Sequence, residues 1–139
     1  MIGTVLSGRY RLEAKLGSGG MSTVYLARDD TLDRAVAVKV MHREMSEQAD
    51  QLQRFRQEAR AVAKLSHPNV VSVIDAGEDG GHPYIVFEYV KGETLKQRIA
   101  RIGALDTQEA IAYAIEVARG LGVAHARNVG FAAANAEVV

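Results

Sequence analysis

The stretch Leu16–Asp29, LGSGGMSTVYLARD, places a glycine-rich break between two runs of strand character. Before it, Tyr10, Leu12, Ala14 and Leu16 alternate with Arg11, Glu13 and Lys15, the period of two that marks a half-buried strand. After it, Thr23 to Ala27 (TVYLA) resumes with β-branched and aromatic residues. The glycines therefore join two strands, as in a hairpin. Closely spaced glycines let backbone N–H groups approach an anion without interference from a Cβ. A plain turn accommodates the same residues. A Walker loop needs GxxxxGK[ST], and no lysine follows here. A dinucleotide-binding turn must open a helix, whereas this segment runs on as strand. The phosphate-binding option that survives is a glycine flap between antiparallel strands.

Outward from this segment, RDDTLDR is a polar turn and Ala35 to Met41 (AVAVKVM) a third strand. A helix is expected from Ser46, as N-cap, to Leu65, where His67-Pro68 supplies the stop. Leu52, Phe55, Ala59 and Val62 form its apolar stripe. Two further strands flank Asp79-Gly80-Gly81, a strong hairpin signal. A short helix is expected near Leu95 to Arg101, and a longer one from Asp106 or Thr107 to Asn128. Strands, helix, strands and then helices describe an α+β fold rather than an alternating parallel sheet.

Lys39 is the one charged residue within Ala35–Met41 and shares a strand face with Ala35, Ala37 and Met41. At about 100° per residue, Glu58 falls within the arc of Phe55, Ala59, Val62 and Leu65. An acid on a buried stripe needs a cation, and Lys39 is the strand lysine best placed to supply one. A lysine snorkelling from an edge strand, with Glu58 reaching water, is the alternative.

Composition narrows the function classes. The chain has 139 residues, with 17 basic and 17 acidic side chains and no formal net charge. A general nucleic-acid or membrane-surface binder would carry excess Lys and Arg. The absence of cysteine rules out a disulfide scaffold or Cys-ligated zinc and fits a reducing cytoplasm. The start, MIGTVLSGRYRLEAK, shows neither a signal-peptide core nor the myristoylation pattern, and no apolar run approaches a membrane span. His42, His67, His82 and His125 lack paired spacing for a metal, and His67 reads as a structural residue beside Pro68.

Taken together, LGSGGMSTVYLARD, VAVK at Val36–Lys39, Glu58, HPNVV at His67–Val71 and PYIVFEYVKGETL at Pro83–Leu95 resemble the N-terminal lobe of protein kinases, closest to bacterial Ser/Thr kinases of the eukaryotic type. The resemblance covers residues 8 to 128. It implies a five-stranded antiparallel sheet with one long helix over residues 1–88. A hinge and two helices of an incomplete C-lobe would follow over 89–139. It implies ATP as ligand, with Mg²⁺ arriving as the ATP complex. Leu16, Val24 and Ala37 would sandwich the adenine. Gly17, Ser18, Gly19, Gly20, Met21, Ser22 and Thr23 would cover the phosphates, with Ser22 in the place of the family's third glycine. Lys39 would contact the α- and β-phosphates, held by Glu58. Phe87 would stand at the gatekeeper position, and the Glu88 carbonyl and Val90 N–H would meet the adenine edge. Glu93 and Thr94 would lie near the ribose.

The likeness stops after Val129. In place of an HRD-type catalytic loop the chain reads GFAAANAEVV, with Phe131, Ala132 and Ala133 nearest the HRD positions. The stretch contains no catalytic Asp, no asparagine in register for a metal ion and no DFG. Efficient phosphoryl transfer by these residues alone is not expected. The apolar stripe through Ile111, Ile115, Ala118 and Leu121, widened by Ala114 and Val117, is expected to be left uncovered, favouring self-association or a masking partner such as an intact kinase. Gly120 and Gly122 are expected to weaken the last turns of their helix, by roughly 1 kcal/mol each. The Ala-rich tail, Ala132 to Ala136, reads as fraying helix or disorder. A non-catalytic interaction module, or a fragment without a function of its own, is the alternative to the ATP-binding reading.

Overall fold

The computed structural model describes residues 1–126. It divides into two compact units: Met1–Arg60 with Val73–Tyr89, and Ala61–Ser72 with the chain from Val90 onward. The sequence assignments for Asn128 and for Phe131 to Ala136 lie outside the described residues.

The first unit is built on a six-stranded antiparallel sheet. Its strands are β1 (Val5–Leu6), β2 (Tyr10–Ser18), β3 (Ser22–Asp29), β4 (Arg34–Met41), β5 (Val73–Asp79) and β6 (His82–Glu88), in the order β1-β2-β3-β4-β6-β5. The expected five strands are present. The sixth, β1, spans two residues, too few to show a period. It is held on β2 through Leu12, whose N–H donates to the Thr4 carbonyl at 2.9 Å and whose carbonyl accepts from Gly3 at 2.7 Å.

Alternation in β4 sorts its side chains between two cores. Val36, Val38 and Val40 are buried with Tyr10, Leu12, Ala27, Tyr84 and Val86 on one face. On the other, Met41 and Ile85 pack against Phe55 and Ala59. The period-two pattern of β2 holds for Tyr10 and Leu12 and is then displaced by irregular register between Leu12 and Ala14 and between Lys15 and Gly17. Leu16 is left 48% exposed. At the β5–β6 turn Gly80 (φ 57°) and Gly81 (φ 79°) both take left-handed conformations, and Asp79 pairs with His82. This is the two-residue hairpin that Asp79-Gly80-Gly81 announced.

The expected single helix is two: α1 (Arg43–Ser46) and α2 (Ala49–Ala63). Ser46 ends the first rather than capping the second. Its hydroxyl donates back to the Arg43 carbonyl at 2.7 Å, closing one turn, and Gln48 N–H bonds to the Met45 carbonyl before α2 begins. Of the expected stripe, Phe55, Ala59 and Val62 are buried and Leu52 is partly buried, while Leu65, just beyond α2, is buried as well.

Asp29, at the end of β3, has a fully buried carboxylate. It accepts two hydrogen bonds from the Arg9 guanidinium at 2.9 Å, one from Arg34 at 3.2 Å, and the N–H groups of Thr31 and Leu32. Arg9, then the turn amides and Arg34, hold this carboxyl well below the usual carboxylate range despite its burial.

In the second unit α3 spans Leu95–Ile102 and α4 spans Thr107–Ala126. Thr94 caps α3 in a capping box with Gln97, and Asp106 accepts from the Glu109 N–H at 2.9 Å at the start of α4. Leu65, Val70 and Ala124 form a small core with Leu121 and Val123. His67 is structural, as read: its Nδ1 accepts from the Asn69 N–H at 3.0 Å. Gly120 has a second role that helix propensity does not show. It is a contact position, where an added Cβ would stand 2.8 Å from the Asn69 carbonyl oxygen.

Candidate functional site

The sheet register assembles the site residues of the first unit. Gly17 pairs with Val24, Val24 with Lys39 and Lys39 with Ile85. Two residues along the same face, Leu26 pairs with Ala37 and Ala37 with Phe87. Paired residues share a face. Val24, Ala37, Lys39 and Phe87 therefore stand on one side of the sheet, the side on which α2 packs. Leu26 stands with them, a neighbour that sequence reading passed over because its cross-strand partner was unknown.

Lys39 meets Glu58 there. Its Nζ lies 3.0 Å from Glu58 Oε1, and both side chains are about three-quarters buried, at 26% and 23% exposure. The ammonium also lies 5.9 Å from the centre of the Phe55 ring, a cation–π contact at the edge of its range. A primary ammonium has three N–H donors, so the bond to Glu58 leaves two for a ligand. The pair needs both predicted elements: the strand alternation that turns Lys39 toward α2, and the helical period that puts Glu58 beside Phe55 and Ala59.

The glycine flap lies between β2 and β3. A Cβ added at Gly17 or Gly20 would meet no atom within 4 Å, and one at Gly19 would meet only the Ser22 carbonyl at 4.0 Å. The room beside these glycines is open. Met21 is exposed at the tip. The side chains of Ser18 and Thr23 point to each other, with their hydroxyls 3.2 Å apart, and Thr23 also reaches His42 at 2.9 Å. Sequence reading weighed His42 only as a metal ligand. Its position in strand phase with Val40 places it beside Thr23 across the ladder.

Phe87 is partly buried against Met41, Phe55, Ala59 and Ile85. Glu88 ends β6 opposite Val36, with an exposed side chain. Val90 belongs to the second unit. In that unit Glu93 pairs with Arg98 at 3.3 Å and with Arg101, while Thr94 is committed to its helix cap. A cleft of about 320 Å³ between α2 and the β5–β6 hairpin is lined by Phe55, Arg56, Ala59 and Glu78 among others, and includes none of the predicted site residues. Among the described residues no group of three or more His, Asp or Glu side chains could hold a metal ion, and no helix is long and apolar enough to cross a membrane.

Comparison with known proteins places these features in a family context. Residues 10–132 match the family described as protein kinase domain. A probable serine/threonine-protein kinase of Clostridium acetobutylicum is 43% identical over 129 residues, covering 93% of this chain and 20% of that protein. The serine/threonine-protein kinase PrkC of Bacillus subtilis is 40% identical, with the same coverages of 93% and 20%. PknA of Mycobacterium tuberculosis is 42% identical, covering 90% of this chain and 30% of that one. Among solved structures, the kinase domain of Mycobacterium tuberculosis PknI superposes with a TM-score of 0.76 at 32% identity, covering 91% of this chain and 51% of that domain. The chain thus spans about a fifth to a third of the curated relatives and about half of the kinase domain structure.

Proposed function

The chain belongs to the protein kinase domain family and carries part of that domain, and on this premise we propose that its first unit binds ATP. The observation that carries the reading is the Lys39–Glu58 ion pair at 3.0 Å. It orients a lysine with two donors to spare on the strand face shared by Val24, Ala37 and Phe87. In this reading Lys39 holds the α- and β-phosphates and Glu58 fixes the lysine's direction. The backbone of Gly17 to Ser22 covers the phosphates. Leu16, Val24 and Ala37 enclose the adenine, and Phe87 closes the far end of that face. Bound ATP supplies the transferable phosphoryl group. The donor set fits a triphosphate, which needs backbone amides, one well-aimed ammonium and an apolar wall. Among the described residues no cluster of carboxylates or histidines stands ready for Mg²⁺, so in this reading the ion would enter on the nucleotide.

The family reaction moves a phosphoryl group from ATP to a protein hydroxyl. Residues 1–139 contain no HRD aspartate and no DFG. A cytoplasmic, ATP-containing setting accords with this reading and with a chain free of cysteine.

The test is a titration with ATP, with and without Mg²⁺, that follows melting temperature for the wild type and for Lys39→Ala. A saturable shift that needs Lys39 supports the proposal. No shift at millimolar ATP refutes it.

A second reading, self-association or docking on an intact kinase, is favoured by Ile111 and Ile115, 54% and 47% exposed on α4, with Ile99 and Ile102 exposed on α3. Sedimentation as a single monomer, with no capture by an intact relative, would count against it.

A further inference from the structure

His42 follows β4, and both of its side-chain hydrogen bonds go to the glycine flap. Nε2 lies 2.9 Å from Thr23 Oγ1 and Nδ1 lies 3.2 Å from the Gly20 carbonyl oxygen. A carbonyl only accepts, so Nδ1 carries the proton that Gly20 receives. In the neutral ring Nε2 is then the acceptor, and the Thr23 hydroxyl donates to it. The Thr23 oxygen is left to accept from the Ser18 hydroxyl at 3.2 Å. The relay runs one way, Ser18 to Thr23 to His42 to Gly20, and it begins and ends in the flap. Two backbone bonds accompany it: His42 N–H to the Met21 carbonyl at 2.8 Å and Gly19 N–H to the Ser22 carbonyl at 2.9 Å.

The relay lies on the sheet face opposite Lys39. Thr23 pairs with Ser18 and with Val40, while Val24 pairs with Lys39. Successive strand residues point to opposite faces, so Thr23 and Lys39 do too. The flap is thus gripped from the sheet face opposite Lys39.

We propose that His42 is a positioning residue for the nucleotide flap, holding Gly19 to Ser22 in a phosphate-receiving conformation before any ligand arrives. The role rests on the ATP-binding reading above, although the grip itself is a property of the chain without ligand. The physical reason is entropic. A glycine-rich turn loses more backbone freedom on ordering than any other sequence. Fixing it in advance leaves less to be lost on binding.

The experiment measures amide exchange of Gly19 in the nucleotide-free 139-residue chain, together with ATP affinity. The variants are His42→Ala, His42→Asn, Thr23→Val and the Thr23→Val/His42→Ala double. His42→Ala and Thr23→Val should each speed Gly19 exchange by about tenfold, the equivalent of one hydrogen bond. The Val38 and Val86 amides, in the sheet core, should keep their rates. His42→Asn places an amide nitrogen where Nδ1 stood and should recover part of the protection by restoring the Gly20 bond. The double variant should exchange no faster than the faster single, because the relay is one unit. ATP affinity should fall about three- to tenfold in the same order of variants.

Unchanged Gly19 exchange in His42→Ala and Thr23→Val, with ATP still bound by the wild type, overturns this inference alone. Additive single effects, or equal loss of protection at Val38 and Val86, overturn it too, because His42 would then be only a structural residue. A wild type that binds no ATP overturns the nucleotide reading and with it the role assigned to the grip.

Discussion

Gly120 of α4 lies against the backbone of Asn69, so that a Cβ at Gly120 would stand 2.8 Å from the Asn69 carbonyl oxygen and 3.4 Å from a Val70 methyl. The contact works together with a side-chain bond. Asn69 Nδ2 donates to the Glu116 carbonyl at 3.0 Å, one turn earlier in the same helix. The turn after Pro68 is thereby docked on α4 by a side chain and by the absence of one.

Gly120→Ala should therefore destabilise the second unit despite Ala's higher helix propensity. Overpacking of this kind costs about 1–3 kcal/mol, against about 1 kcal/mol gained in propensity. Gly122 is the control, since a Cβ there meets nothing within 4 Å. Gly122→Ala should stabilise by about 0.5–1 kcal/mol. Thermal or denaturant unfolding of the two variants should move in opposite directions. Equal shifts of the same sign would show that the Asn69 contact does not matter.

This pair of glycines also marks where sequence reasoning stops. Propensity treats Gly120 and Gly122 alike, because the neighbour that separates them, Asn69, comes from a distant part of the chain. The same limit explains β1, whose two residues form a strand only because β2 is there to bond them. It explains the break at Ser46, where an N-cap residue type and a helix-closing one are identical in sequence. Period-two and period-3.6 patterns, by contrast, depend only on local geometry. β2, β3, β4, the Asp79–His82 hairpin and the Phe55-Ala59-Val62 stripe were legible for that reason. The Lys39–Glu58 pair was legible because each partner breaks its own element's apolar pattern. The Ser18-Thr23-His42 relay was not, since small hydroxyls beside a turn carry no such signal.

Asp29 should make the fold acid-sensitive. Its carboxyl is held below the ordinary range by Arg9, the Thr31 and Leu32 amides and Arg34. A depressed folded value means that the stabilisation is fully present above the unfolded carboxyl's value of about 4 and is lost as pH falls below it. Asp29→Asn keeps the shape but leaves Arg9 and Arg34 without their shared anion. At neutral pH it should lose about 2 kcal/mol, and its unfolding should then change less between pH 5 and pH 2 than that of the wild type. Parallel pH profiles for the two proteins would rule out Asp29 as the source.

Thr94 should be worth about 1 kcal/mol to α3 as its N-cap. Its hydroxyl accepts from the Gln97 N–H at 3.1 Å, and Gln97 Oε1 accepts from the Thr94 N–H at 2.8 Å. Thr94→Ala removes the first bond and should speed exchange of the Gln97 amide. Thr94→Ser retains an oxygen in place and should be close to neutral. Equal effects of Ala and Ser would mean that packing, rather than the cap, sets the stability of this end.

The Lys39–Glu58 pair should matter more for nucleotide than for folding. Both side chains keep about a quarter of their surface in solvent. Breaking the pair should therefore cost only about 0.5–1 kcal/mol of stability. Binding is different, because an ammonium released from Glu58 must be reordered when the phosphates arrive. Glu58→Gln should weaken ATP binding by about tenfold, and Lys39→Ala by more, while both variants melt within a few degrees of the wild type. The double variant should bind no more weakly than Lys39→Ala alone, since Glu58 acts through the lysine. Calorimetric titration of the four proteins reads this directly. If Glu58→Gln binds ATP as tightly as the wild type, the carboxylate serves the fold and the lysine needs no partner to meet phosphate.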